Sequence, residues 1–184
     1  ARSATEEEIL RVHTVEYVAR VREMSDRAME EDRVIPMDSD TLVSGASWYA
    51  SVGSSGAVLA ALDVIERGTI RNAFVATRPP GHHATASSAM GFCLFNHAAV
   101  GARFAQDRGL SDRVLIVDWD VHHGNGTQEI TYGSDGVMYV SIHGDPNDSF
   151  PFFYGYAGER GEGAGEGYNL NLPLPRGADW AAYQ

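Results

Sequence analysis

The chain has no lysine and only one cysteine, Cys93. All 14 basic residues are arginine, set against 25 acidic ones, for a formal net charge of −11. A single cysteine excludes an internal disulfide framework and suits a reducing cytoplasm. The shortage of positive charge argues against nucleic acid as a direct partner, because phosphate binding draws on Lys and Arg. The negative excess favours cationic ligands through the long-range field, although many acidic proteins owe their charge to nothing more than solubility. No apolar run approaches the ~20 residues of a membrane span, so a membrane is not expected as a partner. The N-terminal Ala-Arg-Ser-Ala-Thr-Glu lacks the charged-then-apolar layout of a signal peptide. At 184 residues, 43% hydrophobic and 21% charged, the composition fits one folded domain over residues 1–184.

Periodicity predicts helix over residues 5–24, where Glu6, Glu7 and Glu8 suit a first turn and Val15, Val18, Val21 and Met24 follow helical spacing. A polar stretch at 25–40 containing Pro36 breaks that pattern. A longer helix is expected at 44–67, stopped by Gly68, and another at 94–107. Short apolar runs at 72–77, 113–118 and 137–142 read as strands. The near-continuous Val-Leu-Ile-Val run fits a parallel strand covered on both faces. Strands alternating with helices imply an α/β domain with a mainly parallel sheet. Residues 144–167 differ: seven glycines, several aromatics, five acids and Arg160 as the one base. A loop of that length is usually functional or disordered.

Chemistry-bearing residues collect where strands end, which is where open α/β sheets place their sites. The first run leads into Arg-Pro-Pro-Gly-His82-His83. The second gives Asp118-Trp-Asp120-Val-His122-His123-Gly-Asn125-Gly, and the third Ser141-Ile-His143-Gly-Asp145. Five of the seven histidines fall in these stretches. In extended chain, residues two apart point the same way, so Asp118, Asp120 and His122 can converge, and carboxylate and imidazole are good Zn2+ ligands. The plainer alternative is a hydrogen-bonded turn with its own carboxylate–histidine pair. His82-His83 can be two ligands, a base pair or an exposed turn. A general base needs a near-neutral pKa and an orienting carboxylate; Asp118 suits one imidazole and Asn125 another. Gly91-Phe92-Cys93 can supply a small residue and an aromatic wall, or simply core. His13 and His97 sit within helical patterns and read as structural.

Taken together, His82-His83, Gly91-Phe92-Cys93-x-x-Asn96, the stretch 118–126 and Ser141-x-His143 resemble the zinc-dependent histone deacetylase and acetylpolyamine amidohydrolase superfamily. Trp119 and Asn125 look like its class II and bacterial branches. The stretch 141–175, with His-Gly-Asp-Pro and repeated Gly-Glu-Gly, is similar to acetylpolyamine amidohydrolases. The resemblance implies the arginase–deacetylase α/β fold, with Asp120 and His122 as zinc ligands and His83 as general base. It makes His82 an electrostatic partner oriented by Asp118. It places Phe92 and Phe153 along an acyl channel with Gly91, and Asp40 at a substrate-binding position. Asp118, Asp120, His122 and Ser141 fall where the family holds a structural monovalent cation, K+ or Na+.

The implied reaction is metal-assisted amide hydrolysis releasing acetate and an amine. The implied partner is a cationic acetylated small molecule or an acetyl-lysine peptide, with homo-oligomer formation left open. The family's third zinc ligand, an Asp, and its Tyr in a Gly-Gly-Tyr context have no match here, and its first strand has none either. The resemblance therefore implies an internal portion of the domain, truncated at both ends, whose own activity is in question. Two rivals remain. A ureohydrolase such as arginase shares the fold but carries Asp-x-His-x-Asp patterns, whereas His123 and Gly124 follow His122. A non-catalytic binding module of the same fold is the other.

Overall fold

The structure, a computed structural model, describes residues 2–183. It divides into two compact units, Ala1–Asp112 and Arg113–Gln184.

The first unit opens with α1 (Glu6–Leu10) and α2 (Val15–Glu30). Thr5 and Glu8 form a reciprocal capping box on α1. Glu8 also grips Arg2 through two 2.7 Å bonds, and that guanidinium lowers the carboxyl's pKa. The single helix expected over 5–24 is therefore two. Thr14 restarts the chain as a second N-cap, its hydroxyl accepting from the Tyr17 N–H at 3.3 Å. The helix then runs past the expected break at Ser25. That residue is fully buried, and its hydroxyl bonds the Ser44 carbonyl at 3.0 Å and accepts the Trp48 N–H, so tertiary packing overrides local polarity.

A two-residue antiparallel pair, β1 (Ile35–Pro36) and β2 (Leu42–Val43), precedes α3 (Ser47–Glu66) and α4 (His97–Asp107). The core gathers Ile9, Val21, Val43, Leu59 and Val100 around Phe95. The Phe95 ring meets Trp48 and Tyr17 edge-on at 5.8 and 6.2 Å. Among the described residues, α3 is the one helix long and apolar enough to cross a membrane by length and composition. That corrects the expectation of no such run; its Trp48, Val52 and Leu59 lie in the unit's core. Residues 72–77 form no strand. They have no ladder partner among the described residues, and Phe74 is 94% exposed. An apolar run becomes a strand only when another edge pairs with it.

The second unit is built on a parallel sheet in the order β3 (Val114–Asp118), β4 (Val137–Gly144), β5 (Asn169–Leu174). Helix α5 (Asn125–Thr131) follows β3, and α6 (Trp180–Tyr183) ends the described chain. Neither α5 nor β5 stands out in the hydrophobic periodicity. The sheet's faces differ. Register pairs Ile116 with Tyr139 and Asp118 with Ser141, and this face buries Val137, Tyr139, Ser141, His143, Asn169 and Asn171. The opposite face is aliphatic and open: Leu115 is 62% exposed, Val117 44% and Leu172 41%. The expectation of a strand covered on both faces thus holds for one face only, because α5 and the 145–168 loop both lie on that side. The loop is ordered by its own bonds, with Phe153 N–H to the Pro146 carbonyl and Glu162 N–H to the Tyr132 carbonyl.

This contrast predicts the stability of paired leucine variants. Leu59→Ala, at a fully buried position, should cost about 2–5 kcal/mol, and Leu115→Ala on the open face within about 0.5 kcal/mol. Urea unfolding of the two variants measures both.

Candidate active site

In the second unit the chain leaves β3 at Asp118 and bends. It does not continue as the extended ladder that strand alternation predicts. Convergence comes instead from carboxylates accepting the backbone two residues on. Asp118 Oδ1 accepts the Asp120 N–H at 3.1 Å, and Asp120 Oδ1 accepts the His122 N–H at 2.8 Å. The His122 Nδ1 then lies 3.1 Å from the same Asp120 oxygen, with both side chains about half exposed. The other Asp118 oxygen lies 3.1 Å from the hydroxyl of Tyr139, which is also 3.1 Å from the Gly124 carbonyl. Burial holds that phenol protonated, its pKa well above the usual value.

Asp120 and His122 thus present one carboxylate and one imidazole side by side on one turn, a donor pair of the chemistry Zn2+ takes. Among the described residues no group of three or more His, Cys, Asp or Glu converges as a metal cluster. The pair therefore fits as part of a ligand set. Asp118 and Ser141 are register partners on adjacent strands. Ser141 is fully buried, its hydroxyl 2.8 Å from His143 Nδ1. Asn125 opens α5, with its side chain buried.

The remaining histidines of this unit are struts. His143 Nε2–H donates to the Gly155 carbonyl at 2.9 Å, which leaves Nδ1 to accept from Ser141. His123 is 2% exposed and bonds the Gln128 Oε1 at 3.0 Å. Burial, with His143 beside it, pushes its pKa down to about 3. Sequence reasoning did not single out Gln128, Tyr139, Asn169 or Asn171, and it took Glu159 as a loop carboxylate facing substrate. The Asn-x-Asn alternation of β5, which aims both amides at one face, was the available signal.

In the first unit, Asp40 Oδ1 accepts the Gly91 N–H at 3.0 Å and the Thr41 hydroxyl at 2.9 Å. Thr41 in turn accepts the Phe92 N–H at 3.1 Å. These bonds hold Gly91 and Phe92 at positive φ, 55° and 66°, leaving the Phe92 ring 61% exposed. Glycine is required at 91, since a Cβ there would lie 2.2 Å from His83 Cδ2. His83 is 4% exposed, and its ring centroid lies 4.0 Å from that of His82. A cavity of about 340 Å3 is lined by Asp40, Leu42, Ala50, Arg78, Pro79 and Phe92. The structure thus brings Asp40, Gly91, Phe92 and His83 together. Phe153, on the 145–168 loop of the second unit, is 70% exposed at φ 66°.

His13 and His97 do the supporting. His97 Nε2–H donates to the Pro79 carbonyl at 3.1 Å while Nδ1 accepts from Ser55 at 2.8 Å. His13 Nε2 accepts the Asn96 N–H at 2.9 Å. Desolvation by burial lowers both pKa values to about 4. The unfolded chain therefore binds protons that the folded chain refuses. Stability is full above the ordinary histidine value of about 6.5 and falls as pH drops toward 4. Each histidine should contribute a slope of up to ~1.4 kcal/mol per pH unit in that window. Urea midpoints at pH 7, 6 and 5 measure it, and His97→Gln should flatten the decline.

The histone deacetylase domain family is matched over residues 1–184. Acetylpolyamine amidohydrolase 2 of Pseudomonas aeruginosa is 45% identical over 79% of this chain and 42% of its own length. Histone deacetylase 6 of Caenorhabditis elegans is 44% identical over 94% of this chain and 19% of its own. Among solved structures, an acetylpolyamine aminohydrolase from Burkholderia pseudomallei superposes with a TM-score of 0.87 at 34% identity, covering 99% of this chain and 60% of that one. The chain thus spans less than half the length of these curated relatives. The α/β fold is that of the deacetylases and acetylpolyamine amidohydrolases, and the chain belongs to the histone deacetylase domain family.

Proposed function

We propose that this chain carries the proton carrier and two of the metal ligands of a zinc-dependent amidohydrolase that removes acetyl groups from acetylated amines. The observation that carries the reading is the carboxylate ladder after β3, which sets Asp120 and His122 side by side through backbone bonds. Asp120 and His122 would hold Zn2+, which when bound polarises the acetyl carbonyl and lowers the pKa of water. His83, held against Gly91 in a buried setting, takes the proton of the attacking water and returns it to the leaving amine. His82, its ring tilted at 45° with its centroid 4.0 Å away, stabilises the charge that His83 gains. Asp40 sits at the rim of the cavity beside Phe92, placed to accept an N–H of the substrate. A K+ or Na+ ion held partly through main-chain oxygens at Asp118, Asp120, His122 and Ser141 would brace the ligand turn; the register of Asp118 against Ser141 supports this. The third ligand and the oxyanion-stabilising Tyr that the resemblance assigns have no match in these residues. The chain alone should therefore turn over poorly.

The test uses a protein of the relatives' full length that contains this chain. His83→Ala should lower kcat by about 100-fold or more while leaving zinc in place, and His122→Ala should remove both metal and turnover. Zinc content by metal analysis beside kcat separates the two roles. A rate within a few-fold of wild type for His83→Ala overturns the assignment.

The substrate reading favours acetylated polyamines. The formal charge is −11, and Asp148, Glu162 and Glu166 of the 145–168 loop are exposed. Asp145 and Glu159 are instead turned onto their own loop. Exposed carboxylates attract a polycation over a Debye length of ~8 Å at physiological ionic strength. The expected outcome is a higher kcat/KM for acetylputrescine and acetylspermidine than for an acetyl-lysine peptide, with the advantage shrinking as salt rises. A clear preference for the peptide, or no salt effect, would leave only the deacetylase reading.

A further inference from the structure

Glu159 and Gln128 lie outside every role assigned so far, yet their side chains join the 155–159 turn to α5 and β5. Glu159 Oε2 accepts the Gln128 Nε2–H at 2.5 Å and the Gly155 N–H at 3.0 Å; Oε1 accepts the Tyr156 N–H at 3.2 Å. Gln128 Oε1 is an acceptor for three buried donors: His123 Nε2 at 3.0 Å, Asn169 Nδ2 at 3.0 Å and Asn171 Nδ2 at 2.7 Å. The two asparagines reach on to the loop backbone, Asn169 to the Glu159 carbonyl at 2.7 Å and Asn171 to the Tyr156 carbonyl at 3.3 Å. His143 closes the ring at the Gly155 carbonyl. The turn at 155–159 is therefore tied to α5, β4 and β5 at once.

Two features connect this turn to the candidate site. Gly155, at φ 93°, lies flat on two imidazoles. A Cβ there would be 2.6 Å from His123 Cγ and from His143 Nε2, and His123 adjoins the ligand His122. Immediately upstream stand Phe152, Phe153 and Tyr154, exposed at 45%, 70% and 51%, the first two at positive φ. An aromatic run exposed in this way keeps its geometry only if the segment behind it is fixed. We infer that Gln128 and Glu159 form a latch that positions Phe152–Tyr154 as the rim against which an acylated amine substrate packs, with both residues acting as positioning residues. The chemistry fits: aromatic faces take the methylene stem and, by cation–π attraction, an ammonium group. This inference rests on the amidohydrolase reading for its substrate, while the latch itself is a property of the chain.

The experiment has one arm for each. Glu159→Gln places an NH2 where the carboxylate met N–H donors, leaving at least one of them unpaired. In the chain itself, amide hydrogen exchange at Gly155, Tyr156 and the residues before them should quicken on the order of tenfold or more, with exchange in β3 unchanged. The double variant Gln128→Glu with Glu159→Gln reverses the polarity of the pair and should recover part of the protection. In the full-length protein, Glu159→Gln should raise KM for an acetylated amine on the order of tenfold with kcat within about threefold and zinc content unchanged, and the double variant should recover part of KM. Unchanged exchange overturns the latch. Faster exchange with unchanged KM overturns the rim. Faster exchange and partial rescue in a protein whose wild type hydrolyses no acetylated amine sustains the latch and sinks the amidohydrolase reading instead.

Discussion

Where β3 stops at Asp118, the backbone loses the ladder that satisfied its N–H groups, and side chains must take over. Carboxylates two residues apart do this in series, Asp118 for residue 120 and Asp120 for residue 122. Much of the second unit's site depends on that substitution. It sets the imidazole of His122 against the carboxylate of Asp120, and it gives Asp118 a second oxygen for the Tyr139 hydroxyl. A carboxylate accepting a backbone N–H is held in one orientation. The turn thus holds its carboxylate oxygens in a fixed arrangement. The hydrogen-bonded turn expected as the plainer alternative is present, and its geometry is compatible with the metal-binding reading proposed above.

Histidine clustering at strand ends overstates how many imidazoles are free for chemistry. His13, His97, His123 and His143 are buried and bonded to backbone or amide groups, and desolvation lowers the pKa of each. A neutral imidazole has one donor and one acceptor on opposite sides of a rigid ring, which suits it to joining two elements that approach from different directions. His97 joins α3 to the loop at Pro79, and His143 joins β4 to the loop at Gly155. His82, His83 and His122 are the imidazoles to which the proposed function assigns proton transfer and metal binding.

What could be read from the sequence followed range. The continuous run 113–118 and the motif after it were legible because strand period, apolar content and donor types sit within a dozen residues. The helix expected at 94–107 was legible except at its start, which lies three residues later at His97, where Asn96 caps it by accepting the Ala99 N–H at 3.1 Å. The break at 11–14 was hidden, because apolar spacing continues across it and only Thr14 marks the restart. Residues 72–77 carry a strand's composition, but pairing is a long-range event that composition cannot report. The Gln128–Glu159 connection was invisible for the same reason. Its members are 31 residues apart, and its asparagines lie in β5, which the apolar pattern did not announce.

The absence of lysine has a structural counterpart. Arginine's planar fork meets carboxylates through two parallel bonds and stacks on aromatic faces, which an ammonium cannot do as well. Arg2 grips Glu8 through both terminal nitrogens, and Arg22 lies 4.3 Å from the Trp48 ring centroid while bonding Glu6. Arg11, Arg27, Arg33 and Arg108 are likewise paired with Asp107, Glu31 and Glu66. Most of these pairs are exposed and contribute little stability individually. Their larger effect is on the field. Six of the first unit's eleven arginines are matched at short range in this way, which reduces the positive potential that competes with its surplus carboxylates. In the second unit only Arg113, Arg160 and Arg176 oppose ten acids, so its formal charge is strongly negative.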